Sequence, residues 1–208
     1  MYTLFGYPGS GSAAIECALR RTGAPWRGID AASWDEASAL AALSAVNPLQ
    51  QIPTLQLPDG SALTESAAIL MHLGFAFPAS GLLPAEPPAR DRALRGLVFI
   101  AANCYAAISV GDYPERWTTA SDDASLAAVR AGARARLHRH WEIFADLHPA
   151  ATAFLAGARP GALDLLAAVV SKWSGTRPHL RDARPAFCDL LERIDADPEV
   201  APVFARHW

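Results

Sequence analysis

The chain has 208 residues, of which 51% are hydrophobic and 19% are charged. This composition excludes an intrinsically disordered protein, and the length accommodates one large domain or two small ones. The formal net charge of −3 is too close to neutral for a protein that mainly binds nucleic acid or an anionic membrane surface. Alanine contributes 44 residues, which favours helices because alanine loses almost no side-chain entropy in a helix.

Features that report cellular location are consistent with a cytoplasmic protein. No uncharged apolar run approaches the length of about 18 residues that a membrane span needs. The segment Met1–Phe5 leads into structured sequence without the basic and apolar regions of a signal peptide. The three cysteines are odd in number and far apart, which argues against a disulfide framework. We therefore expect a cytoplasmic location, with no membrane or nucleic-acid partner.

The first eighty residues alternate between short apolar runs and helical patterns. A buried strand is predicted at Tyr2–Gly6, and the helix at Ala13–Thr22 is stopped by Gly23. The next predicted elements are a strand at Trp26–Asp30, a helix at Trp34–Ala45 with Ser33 as its N-cap, strands at Pro53–Leu57 and Ser61–Leu63, and a helix from Thr64 or Glu65 to Leu73. The order is β-α-β-α-β-β-α.

A breaker-rich segment separates this part from a second half that is predicted to be helical throughout. Four prolines and a glycine lie between residues 77 and 88, which is typical of a linker. Apolar residues then recur at helical spacing over residues 94–108, 126–144, 163–173 and 186–194. We therefore divide the chain into an N-terminal domain at 1–77, a linker at 78–88 and an all-helical domain at 89–208.

The sharpest chemical signal is the segment Asn47-Pro48-Leu49-Gln50-Gln51-Ile52-Pro53-Thr54-Leu55, followed by Asp59-Gly60 and by Leu63-Thr64-Glu65-Ser66-Ala67-Ala68-Ile69. A proline that starts a strand leaves the backbone of Ile52 free to pair with an extended peptide. A Glu65-Ser66 pair at a helix N-terminus forms an anion site. These features indicate a receptor for a short, peptide-like ligand with a carboxylate, and the alternative is an ordinary hairpin followed by a capped helix.

These segments resemble the glutathione-binding core of the cytosolic glutathione S-transferases. The resemblance extends to the opening strand, the serine-containing loop, the proline-rich linker and the helical second half. It implies an α/β thioredoxin-like N-terminal domain plus an all-α C-terminal helical domain. It further implies that Pro53 is cis, that Ile52 pairs with the cysteinyl backbone of glutathione, and that Glu65 and Ser66 hold its γ-glutamyl end. Gln51 is a weaker candidate for the glycyl end.

The loop Tyr7-Pro8-Gly9-Ser10-Gly11-Ser12 lies where members of this family activate the glutathione sulfur with Tyr, Ser or Cys. It resembles the beta-class pattern P-G-A-C-S, but Gly11 stands at the cysteine position, so cysteine chemistry is not implied. The resemblance leaves Ser10, Ser12 and Tyr7 as catalytic candidates, with Ser10 favoured. Backbone N–H groups are the alternative sulfur donors, and both serines also suit simple capping of the helix.

Two further segments match the family pattern in the second half. Gly157–Asp164 resembles its helix-capping segment, with Gly161 in place of the usual hydroxyl residue, and Asp164 is expected to reach back to backbone N–H groups. By the same resemblance, one helix walls the cleft that faces the glutathione sulfur, and an aromatic patch there would suit an apolar electrophile. Core or surface packing is the alternative for its candidate residues, which are Asn103, Tyr105, Tyr113 and Trp117.

Together these features predict a glutathione transferase, in which the thiolate of bound glutathione attacks a small apolar electrophile or a peroxide. Glutathione is the co-substrate, and no metal or nucleotide is implied. A homodimer is expected, with faces around Met71–Phe75 and Arg90–Leu97 meeting their symmetry mates. The alternatives are a glutathione-dependent isomerase or dehalogenase, and a non-catalytic protein-binding member. The Glu65-Ser66 pair argues against the last alternative, because a scaffold needs no γ-glutamyl site.

Overall fold

A mixed β-sheet with helices on both faces forms the N-terminal part of the protein. The computed structural model describes residues 1–149, 153–155 and 157–208. Within them, the strand order is β2-β1-β3-β4, with β2 parallel to β1 and the other two pairs antiparallel. The strands are β1 (Tyr2–Gly6), β2 (Trp26–Asp30), β3 (Thr54–Gln56) and β4 (Ala62–Leu63), and the helices are α1 (Ser12–Thr22), α2 (Leu40–Val46) and α3 (Ser66–Ala76).

Strand β1 is buried along its whole length, and its alternating side chains enter two different cores. Leu4 joins the main core, which contains the buried faces of α1 and α3. Phe5 points to the opposite face and packs in a smaller cluster with Leu43 of α2. The sheet is therefore covered on both sides, which is the layered arrangement of a thioredoxin-like domain.

The remainder of the described chain is helical. It consists of α4 (Pro87–Phe99), a π-helical segment (Ile100–Tyr105), α5 (Ala106–Asp112), α6 (Asp123–Leu147), α7 (Ala162–Val170), α8 (Thr176–Ala183), α9 (Pro185–Asp195) and α10 (Ala201–His207). All nine residues of α7 are buried. The main core runs without a break from Leu4 and Ile15 to Leu97 and Leu166, so that both domains share it.

The start of α7 confirms the capping role expected for Asp164. Its fully buried carboxylate accepts hydrogen bonds from the N–H of Gly161 at 2.8 Å and the N–H of Leu155 at 2.7 Å. Glycine supplies no hydroxyl at the N-cap, and the carboxylate satisfies the backbone from the third helical position instead. Asp164 is therefore part of the fold and lies outside the cleft.

One helical run reaches the length of a membrane span, which the sequence analysis did not expect of any segment. Pro87–Asp112 covers 26 residues and is long and apolar enough to cross a membrane by length and composition alone. Leu97, Ile100 and Cys104 on this run are fully buried against the other helices. A core helix of a soluble protein has the same composition, so packing within the fold accounts for the apolar character of the run.

The predicted helix at Trp34–Ala45 is wrong in its first half, since α2 begins only at Leu40. Asp35 accepts a hydrogen bond from the Ala37 N–H at 3.0 Å. Ser38 accepts one from the Ala32 N–H at 2.9 Å and donates to the Asp35 carbonyl at 2.6 Å. Short polar side chains that bind nearby backbone groups compete with helix formation, which explains why the segment turns instead.

The second half is helical as predicted, but two of its short helices were not individually placed from the sequence. Helix α8 follows Gly175, which has a φ of 73°, and carries Leu180 as its one buried aliphatic side chain. Helix α10 is seven residues long and is anchored by Val203 and Phe204. Both helices are too short for an apolar period to stand out in the sequence, so their stability comes from tertiary packing.

Helix α10 is held against α1 by the carboxylate of Glu16. This group accepts a hydrogen bond from Nε2 of His207 at 3.1 Å and pairs with Arg206, and Arg20 lies 3.3 Å away. Burial on its own would raise the pKa of Glu16, but the bond from His207 and the arginine charges outweigh it and lower the pKa.

Glu16→Gln should therefore destabilise the protein by about 1–2 kcal/mol at pH 7, because it removes a charge-assisted cluster. A carboxyl whose pKa is lowered by folding stabilises the protein above its unfolded pKa, and this contribution is lost as the pH falls through the folded pKa. Urea unfolding at several pH values should thus show that the difference in unfolding free energy between Glu16→Gln and the parent becomes smaller at acidic pH, below the ordinary glutamate pKa of 4.5. The exposed residue Glu36 provides the control, Glu36→Gln, and an equal loss in both variants would contradict the assignment.

Candidate functional site

The backbone of Ile52 forms an open edge where the chain enters β3. The Ile52–Pro53 peptide bond is cis, as the family resemblance implied. Pro53 is buried and Ile52 is partly exposed. Over the described ranges, neither the N–H nor the C=O of Ile52 has a hydrogen-bond partner. This edge is therefore free to pair with the backbone of an extended peptide.

Asn47 holds the loop that presents this edge, a role that the sequence analysis did not assign. Its side chain is 3% exposed, and its Nδ2 donates to the Gln51 carbonyl at 3.0 Å and to Oγ1 of Thr54 at 2.9 Å. Its Oδ1 accepts from the Leu49 N–H at 3.0 Å. A buried amide with donors and acceptor all satisfied rigidifies the turn around it. The signal that could have indicated this role is an Asn followed by Pro at the start of the motif.

The N-terminus of α3 forms a second open edge. Glu65 precedes it with a φ of 65°, a strained conformation for a residue with a side chain that is found preferentially at ligand sites. Ser66 is 7% exposed, and its hydroxyl has no partner within the described part of the chain. Helix N-terminal N–H groups beside a free hydroxyl form a site suited to a carboxylate.

Ser10 and Ser12 are both buried and bond to their own loop. The hydroxyl of Ser10 donates to the Tyr7 carbonyl at 2.6 Å and lies 2.8 Å from Oγ of Ser12. The backbone N–H groups of Ser12 and Tyr7 donate to Oγ of Ser10 and Oγ of Ser12, each at 3.2 Å. These bonds order the turn into α1, and the one hydroxyl proton of Ser10 is already used by Tyr7. That either serine activates a thiol stays a prediction.

Tyr7 directs its hydroxyl away from this turn, toward the loop before α2. It donates to Oδ2 of Asp35 at 2.7 Å, and its ring meets the exposed ring of Trp34 edge-on. The hydrogen bond to Asp35 and the charge of that carboxylate raise the pKa of Tyr7. The tyrosine thus stays protonated at neutral pH with its proton engaged, and its catalytic role also stays a prediction.

Tyr105 reaches the N-terminus of α1 from the helical domain. A Cβ placed on Gly11 would lie 2.6 Å from the Tyr105 hydroxyl oxygen and 3.4 Å from Cδ of Pro53. Burial and the charges of Glu65 and Asp112 raise the pKa of Tyr105 to about 12. The start of α1, Pro53 and Tyr105 therefore lie next to one another, and Glu65 at the start of α3 is near enough for its charge to act on Tyr105. We name the place where these groups meet the cleft.

Trp173, which the sequence analysis placed in a helix without a site role, forms the support behind Tyr105. The two ring centroids are 5.6 Å apart, and Trp173 packs against the main core. It lies just after α7, whereas Tyr105 ends the π-helical segment. No local sequence pattern pairs these two positions, because the contact exists only once the helical domain is folded.

The other residues predicted for the electrophile site have different surroundings. Asn103 donates from its amide to the Phe99 carbonyl of its own helical run at 3.1 Å. Tyr113 is 39% exposed with the guanidinium of Arg116 stacked on its ring, and Trp117 is 59% exposed. Among the described contacts, none brings these side chains against Gly11, so their role toward an electrophile stays a prediction.

The cysteines lie outside this chemistry. All three are free and buried. Burial raises the pKa of both the Cys17 and the Cys104 thiols to about 12, so both stay protonated and unreactive at neutral pH. Burial also raises the pKa of Cys188, so none of the three cysteines is assigned as a nucleophile.

Comparisons with known proteins agree with this architecture. Residues 14–74 match the family described as "Glutathione S-transferase, N-terminal domain". An uncharacterized GST-like protein of Escherichia coli (strain K12), YncG, is 36% identical over 119 residues, which cover 56% of this chain and 57% of the relative. The matched region thus spans little more than half the length of that curated relative.

Solved structures match over nearly the whole chain. A glutathione transferase from Methylococcus capsulatus str. Bath is 27% identical with a TM-score of 0.78, covering 99% of this chain and 98% of its own. A sphingomonad glutathione S-transferase, complexed with glutathione, is 28% identical with a TM-score of 0.74, covering 98% and 97%. The chain therefore has the fold of these glutathione S-transferases, a thioredoxin-like N-terminal domain and a helical C-terminal domain, and its residues 14–74 match the N-terminal domain of that family.

Asn47→Ala should lower the free energy of unfolding by about 2–3 kcal/mol, because it removes three hydrogen bonds from a buried position. Asn47→Asp keeps the acceptor for Leu49 but loses both donors, so it should destabilise at least as much. Urea denaturation measures both effects. Gln56→Ala removes a bond at an exposed position and should change stability by less than about 0.5 kcal/mol. An equally small change for Asn47→Ala would refute the organising role.

Proposed function

We propose that this protein is a glutathione transferase. The observation that carries the proposal is the unpaired backbone of Ile52, just before β3. Strand β4 runs antiparallel to β3 and leads toward α3, so the open N-terminus of α3 lies at the same end of this hairpin. Glutathione is an extended tripeptide with a carboxylate and an ammonium group at its γ-glutamyl end, and it suits both edges. The match of residues 14–74 to the N-terminal domain of the glutathione S-transferases and the glutathione bound in the sphingomonad relative support this assignment.

In the proposed complex, Ile52 pairs with the cysteinyl backbone of glutathione, next to Pro53. Ser66 and the first N–H groups of α3 bind the γ-glutamyl carboxylate, and Glu65 binds the ammonium group. Gln51 lies beside Ile52, on the side proposed for the glycyl end. The peptide is thereby held at three points, which fixes where its sulfur lies.

The proposed reaction is attack by the glutathione thiolate on a small apolar electrophile or a peroxide. With a carbon electrophile, the sulfur electron pair forms the new bond to carbon and the leaving group departs with its bonding pair. Removal of such electrophiles is a detoxification. We place this activity in the cytoplasm, where glutathione is abundant and where buried free cysteines stay reduced.

Ser66→Ala should weaken glutathione binding, because it removes a hydrogen bond to a charged carboxylate that is worth about 1.5–3 kcal/mol. That corresponds to roughly ten- to hundredfold in Kd, measured by isothermal titration calorimetry. Ser44→Ala on α2 is a matched control and should bind as the parent does. Unchanged affinity of Ser66→Ala would overturn the site, and a parent that binds no glutathione would overturn the function.

We further propose that the protein is a homodimer. Phe75 on α3 and Val98 on α4 are 56% and 54% exposed, a high exposure for large apolar side chains on neighbouring helices. Leu97, which the sequence analysis placed on this face, is fully buried in the core and cannot contribute. Val98, the next residue along the helix, is exposed and therefore replaces Leu97 in the proposed interface.

Light scattering at micromolar concentration should report about twice the chain mass of 22.1 kDa. Val98→Asp should shift the protein toward the monomer, since it places a charge in the proposed interface. Leu49→Asp changes an equally exposed side chain on the loop after α2 and should leave the mass unchanged. A monomeric parent, or a Val98→Asp variant of unchanged mass, would contradict this interface.

A further inference from the structure

The close approach of Tyr105 explains why position 11 is a glycine, although the backbone conformation there does not require one. Gly11 is the N-cap of α1 with φ −60° and ψ −14°, a conformation open to every residue. A side chain there would instead have to displace Tyr105, since a Cβ would lie 2.6 Å from the Tyr105 hydroxyl oxygen. The hydroxyl thus fills the place that a side chain at position 11 would take.

The hydroxyl of Tyr105 is an unused donor. None of the hydrogen bonds in the described part of the chain involves it, although the ring is held by Trp173. The two charged groups that act on it are Glu65 and Asp112, and with burial they raise the pKa of Tyr105 to about 12. The phenol therefore keeps its proton across the physiological range and remains a neutral donor.

The competing side-chain donors of the N-terminal loop are already engaged. The proton of Ser10 goes to the Tyr7 carbonyl, and the proton of Tyr7 goes to Asp35. Ser12 is 2% exposed and bonds within the same loop. A Cβ at position 11 would lie 3.4 Å from Cδ of Pro53 and 2.6 Å from the Tyr105 hydroxyl oxygen, so the hydroxyl is next to the edge at which the proposed peptide pairs with Ile52.

We propose that the hydroxyl of Tyr105 donates the hydrogen bond that stabilises the thiolate of bound glutathione. This inference rests on the proposed glutathione transferase function. When the thiol ionises, the S–H bond breaks heterolytically, the proton passes to solvent and the electron pair stays on sulfur. Tyr105 keeps its own proton and donates to that sulfur, so that no oxidant or further reactant is needed. The activating group is thereby supplied by the helical domain across the cleft.

Tyr105→Phe tests this role, because it removes the hydroxyl and keeps the ring against Trp173. The thiolate absorbance of the glutathione complex, titrated with pH, should shift upward by about one pKa unit or more. Turnover of a small electrophile at pH 7 should fall about tenfold, while glutathione affinity stays within about twofold of the parent. Tyr2→Phe is the matched control, since its hydroxyl lies near His72 and away from the cleft.

Gly11→Ala gives a second, independent test. In the parent it should displace the Tyr105 hydroxyl, lower Tm and raise the thiol pKa as Tyr105→Phe does. In the Tyr105→Phe background the same substitution should lower Tm only slightly, because the nearest ring carbon lies at an ordinary contact distance of 3.6 Å. An equal loss of Tm in the two backgrounds would show that the Tyr105 hydroxyl does not contact position 11 as the structure has it. That result would overturn the proposal.

Other outcomes of the titration separate this inference from the proposed function. If the parent protein does not bind glutathione, the proposed function is wrong and so is the inference that rests on it. Binding with an unshifted titration in Tyr105→Phe would overturn the inference alone. A shift in Ser10→Ala instead would return activation to the loop. Lower turnover with an unshifted thiol pKa would mean that the hydroxyl acts on the electrophile, which also overturns the proposal.

Discussion

The burial of helix α1 is the packing constraint on which the cleft depends. Seven of its eleven residues are buried, and the alanines at 13, 14 and 18 allow close approach on its different sides. It contacts β1 and α3 in its own domain, and α7 and α10 in the helical domain. Because this helix is fixed from both domains, its N-terminus lies in a defined place relative to Tyr105.

The polar groups around that N-terminus divide into two kinds. Those of Asn47, Ser10 and Ser12 bond to the protein itself and hold the loops in place. Those of Ile52, Ser66 and Tyr105 have no such partners in the described chain, although two of these side chains are largely withdrawn from water. Polar groups without partners, held in place by neighbours whose hydrogen bonds are satisfied, form a preorganised site. A ligand can bind to them without first breaking hydrogen bonds within the protein.

Much of this arrangement could be predicted from local sequence. The apolar run of β1, the Gly23 stop of α1 and the Pro53 and Glu65-Ser66 segments each carry a local signal, and the structure has an element or an open edge at each of them. The helix starting at Trp34 was wrong because side-chain bonds from Asp35 and Ser38 outweigh alanine propensity. Helices α8 and α10 are short and held by tertiary contacts, so no period identified them.

The contact of Tyr105 with Gly11 could not be predicted, for a different reason. It joins residues far apart in the chain and depends on the π-helical segment, which has no compositional signature. Such a segment shifts the register of every residue after it, so the side that Tyr105 presents cannot be extrapolated from α4. The family resemblance predicted a role for Tyr105 at the electrophile site, which stays a prediction, while its contact with α1 could be seen only in the fold.

The same contact restricts the order in which this site can change over generations. A cysteine or alanine at position 11 has to displace the tyrosine hydroxyl, so a side chain is gained there at less cost in stability once residue 105 has become smaller. A change at 105 alone leaves the glycine in place and is tolerated sterically. The effect of a substitution at either position thus depends on the residue at the other, and the order with the lower steric cost changes residue 105 first.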